Sequence, residues 1–248
     1  MSEDELTHGL SEPELSDTET AAILSAGEVE VLGRMPWSSN ATFLIEAALD
    51  GRSARAIYKP HAGERPLWDF PDGLYRREVA AHELSVHLGW AVVPLTIERS
   101  DMIHGVGSLQ KFIDADFEQH YFTMLEDETL HPQFVRMAAF DFVSNNTDRK
   151  GGHCLIDAND HVWGIDNGLS FHAEFKLRTV IWEFGGEPIP APLLDDLQRL
   201  VDEGLPPQFD RLLGTFERDA VLGRARALLR EGVLPTDDSG HRYPWPLV

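Results

Sequence analysis

Two aspartates stand in settings where a carboxylate can do chemistry. Asp148 lies in the polar run Ser144-Asn145-Asn146-Thr147-Asp148-Arg149-Lys150-Gly151-Gly152, and Asp166 in Ile165-Asp166-Asn167-Gly168. Between them HCLID, the turn-forming Ala158-Asn159-Asp160 and HVWGI read as two short strands joined by a turn. A hairpin brings its ends together, so Asp148 and Asp166 are expected side by side at its mouth. That pairing suits phosphoryl transfer: one carboxylate orients or deprotonates an attacking hydroxyl, and the other holds the magnesium that bridges nucleotide phosphates. Either motif alone is an ordinary turn; the chemistry lies in their convergence.

The rest of the chain must supply a nucleotide site. Between Gly27 and Tyr58, EVEVLG, ATFLIEAAL and SARAIYK are short apolar or alternating runs, and Asp50-Gly51 between the last two marks a hairpin, so an antiparallel sheet is expected. LYRREVAAHELSVHLG places Ala80, Leu84 and Leu88 four residues apart and ends in Gly89, predicting an amphipathic helix with a glycine cap. WAVVPLTIER and GVGSLQKFID supply two further strands. A helix over PQFVRMAAFDFV, begun by Pro132, precedes the Asp148 loop, and helical patterns return at 191–203 and 209–230. The order predicts an α+β fold in two lobes: an acidic disordered tail over 1–20, an N-terminal lobe over 21–113 and a C-terminal lobe over 114–248.

Composition narrows the function. Of 248 residues, 42 are acidic and 21 basic, a formal charge of −21. Such a surface repels phosphate backbones, which argues against a nucleic-acid partner, and it weighs against charge-driven docking on acidic lipid. No run approaches the ~20 apolar residues of a membrane span, and MSEDELTHGL lacks the features of a signal peptide, so a cytoplasmic protein without integral membrane association is expected. The single cysteine, Cys154, makes no internal disulfide and agrees with a reducing compartment. His153, Cys154, His161 and His172 give no clear four-ligand zinc set.

Residue by residue, Asn146-Thr147-Asp148-Arg149 resembles the catalytic loop, and Ile165-Asp166-Asn167-Gly168-Leu169-Ser170-Phe171 the metal-binding segment, of the phosphatidylinositol 3- and 4-kinase family, in particular its type II 4-kinases and an actinobacterial branch. The resemblance implies a two-lobed protein-kinase-like fold, ATP with Mg2+ or Mn2+, and transfer of the γ-phosphate to a hydroxyl of an inositol lipid, a small molecule or a protein. It implies Asp148 and Arg149 as catalytic residues and Asp166 as a metal ligand. Ala56-Ile57-Tyr58-Lys59-Pro60 resembles the strand carrying the ATP lysine, one hairpin turn after Ser38, Ser39 and Asn40, whose loop is expected to cradle phosphates with backbone N–H groups. The lysine needs a carboxylate partner. Helical periodicity leaves Glu78 and Glu83 both open, and the resemblance favours Glu78. Ser108-Leu109-Gln110-Lys111-Phe112-Ile113 resembles the hinge whose backbone would bind adenine, with Gln110 and Phe112 as its candidate residues.

One position departs from the pattern. Five residues after the catalytic aspartate, where kinases carry a metal-binding asparagine, this chain has His153. Imidazole suits softer metals than magnesium. His153 is therefore either a modified metal or phosphate contact or the mark of a nucleotide-binding pseudokinase that regulates a partner. A third reading is an enzyme of the same lobes that transfers AMP.

Overall fold

The computed structural model describes residues 15–35 and 40–248. The chain begins with helix α1 (Asp17–Ala26), followed by strands β1 (Glu28–Arg34), β2 (Phe43–Leu49) and β3 (Arg52–Pro60). Helix α2 (Tyr75–Leu88) and strands β4 (Thr96–Arg99) and β5 (Gly107–Lys111) complete a five-stranded antiparallel sheet in the order β1-β2-β3-β5-β4. The second half contains α3 (Tyr121–Met124), α4 (His131–Ser144), the hairpin β6 (Cys154–Ile156) and β7 (Val162–Gly164), then α5 (Ala191–Glu203), α6 (Phe209–Leu212) and α7 (Thr215–Glu231). The fold is α+β, with an antiparallel sheet at the N-terminal end and a mainly helical second lobe.

The acidic tail expected over 1–20 needs correcting at its end, its first 14 positions lying outside the described residues. Asp17–Thr20 form the first turn of α1. Ser16 caps that turn by accepting from the Glu19 amide, and the Glu19 carboxylate accepts from the Ser16 amide in return. Ile23 and Leu24 of α1 then join Ile45, Ala47, Ala54, Ala56, Tyr58 and Leu109 in a core on one face of the sheet. Because strand side chains alternate between faces, covering Ala56 and Tyr58 leaves Ile57 and Lys59 on the opposite face, where α2 packs against β4 and β5.

Asp50 and Gly51 close the β2–β3 hairpin with φ of 50° and 80°, the left-handed pair that a tight two-residue turn requires. The start of α2 is capped by Glu64, whose carboxylate accepts from the amides of Gly73, Leu74 and Tyr75 at 3.2, 2.8 and 2.7 Å. Ala80, Leu84 and Leu88 are fully buried, as their spacing predicts, in a core shared with α4, α5 and α7. The helical pattern at 209–230 is broken in two: Leu213 turns extended and Gly214 precedes α7, its amide donating to the Glu217 carboxylate at 2.8 Å.

Candidate functional site

The β3 strand carries Lys59 to the edge of a cavity of about 380 Å³ between the sheet and the β6–β7 hairpin. Its ammonium donates to Glu78 Oε1 at 2.5 Å and to Asp166 Oδ1 at 2.8 Å. Burial works against the charge on Lys59, but the carboxylates of Asp166 and Glu78 outweigh it and hold its pKa above the ordinary lysine value. The Glu78 carboxylate also accepts from the amides of Asn167 at 2.9 Å and Gly168 at 3.0 Å. One buried side chain on α2 thereby fixes both the lysine and the backbone that follows Asp166. Glu83, the alternative partner, instead accepts from the Gln208 side chain at 2.6 Å.

Asp166 leaves β7 with φ of 58°, a left-handed conformation that aspartate adopts more readily than bulkier residues. Its side chain is half exposed within the cleft, and the Lys59 ammonium above all, outweighing burial and helped by Lys150, holds the carboxyl well below the usual range. The hairpin does bring its ends together: Thr147 donates through both its amide and its hydroxyl to the Leu169 carbonyl, at 3.0 and 2.9 Å. Asp148 and Asp166 line the same cavity. Burial raises the Asp148 carboxyl above its ordinary value, opposed by Lys150, whose ammonium lies 3.2 Å from Asp148 Oδ2. Lys150 was not among the residues singled out in the sequence, although it stands only two positions after Asp148.

His153 faces the same space. Its Nδ1 lies 2.9 Å from the Asp148 carbonyl oxygen and 3.4 Å from the Lys150 amide nitrogen. Nε2 is 3.4 Å from Asp166 Oδ2. Burial lowers the His153 pKa to about 4, so the ring is neutral at neutral pH.

Other expected site residues are placed differently. Arg149 is fully buried and turned away from the cavity. Its guanidinium donates to both oxygens of the equally buried Asp141 on α4, to the Ile165 carbonyl at 2.6 Å and to Asn167 Oδ1 at 2.8 Å. The expectation of a catalytic Arg149 is therefore corrected: it joins α4 to the Asp148 and Asp166 segments and has no open path to a substrate. The Gln110 side chain is buried and donates to Thr96 Oγ1 at 3.0 Å, on a strand paired with both β3 and β4. The Phe112 amide donates to the Arg55 carbonyl at 3.0 Å and its ring lies under the Arg55 guanidinium, outside the cavity. Asn40 does line the cavity and accepts from the Arg65 amide at 3.1 Å, while Ser38 and Ser39 lie outside the described residues. Among the described residues no helix is long and apolar enough to cross a membrane.

No family model matches this sequence. The chain is 41% identical over 263 aligned residues to Protein Rv2133c of Mycobacterium tuberculosis (strain ATCC 25618 / H37Rv), an alignment that covers 91% of this chain and 94% of that protein. The chain belongs to the Rv2133c family. Among solved structures, that of hydra Fam20 with sugar superposes with a TM-score of 0.58 at 12% identity, over 87% of this chain and 88% of that one. A Helicobacter pylori proinflammatory kinase, CtkA, gives a TM-score of 0.49 at 13% identity over 85% and 94% of the two chains. The likeness to the first extends over both lobes, and the fold is kinase-like.

Proposed function

We propose that this member of the Rv2133c family is an ATP-dependent phosphotransferase acting on a hydroxyl. The observation that supports this most is the joint placement of Lys59, Glu78, Asp148 and Asp166 around one cavity, with Glu78 bonded to the lysine and to the backbone after Asp166. In this reading Lys59 lies against the nucleotide phosphates and Glu78 holds it there. The Asp148 carboxylate accepts the proton of the acceptor hydroxyl. The acceptor oxygen bonds to the γ-phosphorus, the bond from that phosphorus to the β,γ-bridging oxygen breaks, and ADP departs with the electron pair. Lys150, paired with Asp148, keeps that carboxylate ionised and aimed.

A divalent cation fits the residues present. His153 Nε2 and Asp166 Oδ2 lie 3.4 Å apart at the cavity, and burial keeps the imidazole neutral, so this nitrogen and oxygen could together hold a cation. Such an ion, held by Asp166 and His153, would neutralise phosphate charge. The mixed nitrogen and oxygen pair suits Mn2+ at least as well as Mg2+. The motifs resemble those of phosphatidylinositol kinases, and that resemblance supports an inositol-type hydroxyl within a wider acceptor class. The single, buried Cys154 agrees with a cytoplasmic location.

The test is turnover. Purified protein with labelled ATP, Mg2+ or Mn2+ and a broad acceptor mixture is compared with Asp148→Ala, for which a fall of about 10²- to 10⁴-fold is expected. Nucleotide binding with no Asp148-dependent transfer would favour the regulatory pseudokinase that His153 brings to mind. The mass added to the acceptor separates phosphate from AMP. Failure to bind ATP with either metal would remove all three readings.

A further inference from the structure

Leu67, Asp148, Lys150 and Leu169 line both the nucleotide-side cavity and a second, adjoining one of about 640 Å³. We infer that this second cavity, built from Trp68, Phe175, Lys176, Arg178, Arg242 and Trp245, is the acceptor site, and that it takes a small hydroxylated ring bearing a phosphate. The inference rests on the phosphotransferase reading above and names its substrate class.

Its size comes first. A volume of this order holds one or two rings and lies in the range of small-molecule pockets, which favours a compact acceptor over a folded protein.

Its charge comes second. The walls carry four cations, Lys150, Lys176, Arg178 and Arg242, against two carboxylates, Asp69 and Asp148, in a chain whose net charge is −21. Lys150 is paired with Asp148 and Lys176 with Asp69 at 3.0 Å, while Arg242 lies 3.8 Å from Asp237. Arg178 differs: its side chain is exposed and its guanidinium has no ion-pair partner among the described residues. Its backbone is held firmly, donating to the Asn146 carbonyl at 2.9 Å and accepting from the Arg149 amide at 3.1 Å. An unpaired guanidinium is thus carried on a segment hydrogen-bonded directly to the Asp148 loop. A planar guanidinium with free N–H groups matches a phosphate or carboxylate in a bidentate way that an ammonium does not.

Its aromatic surface comes third. Trp68 and Trp245 are 94% and 86% exposed, so two indole faces stand open at this cavity. Phe175 lies under the Arg242 guanidinium at 5.0 Å, and Lys176 sits 5.7 Å from the Trp68 ring. The electron-rich faces of such rings attract the polarised C–H face of a hydroxylated ring, leaving the hydroxyl edge free to turn toward Asp148. Indoles, a free guanidinium and an adjoining base together select a ring with an anionic substituent and a reactive hydroxyl.

The experiment titrates the full chain calorimetrically with myo-inositol 1-phosphate and glucose 6-phosphate, with uncharged myo-inositol and glucose as controls, and with phosphatidylinositol in phosphatidylcholine vesicles as the membrane-borne form. The expected result is saturable binding of a phosphorylated ring, about tenfold or more tighter than its uncharged counterpart and weakened by a similar factor in Arg178→Gln. Trp245→Ala, a second exposed position, should weaken it as well. Binding of the free esters assigns the anion to a soluble metabolite, and binding of the vesicles alone assigns it to a lipid headgroup; both support the inference. Equal affinity for charged and uncharged rings, unchanged binding in Arg178→Gln, or no binding of any phosphorylated ring would overturn it. A non-hydrolysable ATP analogue with Mn2+ is titrated in parallel. Nucleotide binding without ring-phosphate binding defeats this inference and leaves the phosphotransferase reading intact, whereas ring-phosphate binding without nucleotide binding defeats that reading instead.

Discussion

The Glu78 carboxylate lies 2.5 Å from the Lys59 ammonium and also accepts from the amides of Asn167 and Gly168, so one residue of α2 sets the lysine and the segment after Asp166 in a single arrangement. A charge-assisted hydrogen bond of this kind is worth about 1.5–3 kcal/mol. Glu78→Gln keeps the shape and removes the charge. Affinity for a non-hydrolysable ATP analogue should fall roughly 10- to 100-fold. Calorimetric titration checks this, and an affinity equal to wild type would mean that the ion pair does not serve nucleotide binding.

Lys150 should control the acid side of the pH profile. Asp148 must be ionised to accept a proton, and burial already raises its pKa above the ordinary aspartate value while Lys150 pulls it back. Lys150→Met removes that opposition. The acid limb of kcat/KM should move to higher pH, so the variant loses activity at a pH where wild type is still fully active. Rate measurements across the acid range read the displacement directly; a limb that stays in place would show that Asp148 is not the group titrating.

His153 should decide metal preference. With a nitrogen and a carboxylate oxygen facing each other, the site suits Mn2+ better than an all-oxygen site would. His153→Asn substitutes an amide oxygen. The ratio of Mn2+- to Mg2+-supported nucleotide affinity should fall by several-fold, measured by metal titration at fixed analogue concentration. An unchanged ratio would place His153 outside the coordination sphere.

Arg149 and Asp141 should behave as a structural pair. Both are fully buried, and removing one partner leaves an uncompensated charge, which costs about 3–5 kcal/mol. Arg149→Met should lower the unfolding free energy measured by denaturant titration by that amount without a specific effect on the residual folded enzyme. The double variant Arg149→Met with Asp141→Leu should recover part of the loss. Activity per folded molecule near wild type in either variant would agree with a scaffold role; selective loss of turnover in a fully stable protein would return Arg149 to the chemistry.

Helix α1 should depend on its cap. Ser16→Ala removes the acceptor for the Glu19 amide and should cost about 1 kcal/mol in chemical denaturation. No shift would mean that the packing of Ile23 and Leu24 alone holds the helix.

Where structure was legible in the sequence, it was local. The Asp50-Gly51 turn, the spacing of Ala80, Leu84 and Leu88, and the Pro132 start of α4 are short-range signals, and each appears in place. Convergence of Asp148 and Asp166 was legible because a hairpin closes on itself. Helix α1 was masked by the acidity of its first turn, although Ser16 and Glu19 three residues apart are a capping signal. Arg149 was misread because adjacency to Asp148 says nothing of which way a side chain points, and its partner Asp141 sits in an apolar helical run where a charge looks incidental. The second cavity was beyond reach for another reason. Its walls come from five stretches, near 68, 148, 169, 177 and 242, that only the tertiary fold assembles.

The wall shared by the two cavities has a kinetic meaning. With the nucleotide in the first cavity and the acceptor in the second, as proposed, each can fill while the other is occupied, and the phosphoryl group need never rest on the protein. Initial-velocity plots against both substrates should therefore intersect, the sign of a ternary complex, and no phosphorylated enzyme should be trapped when nucleotide is supplied alone.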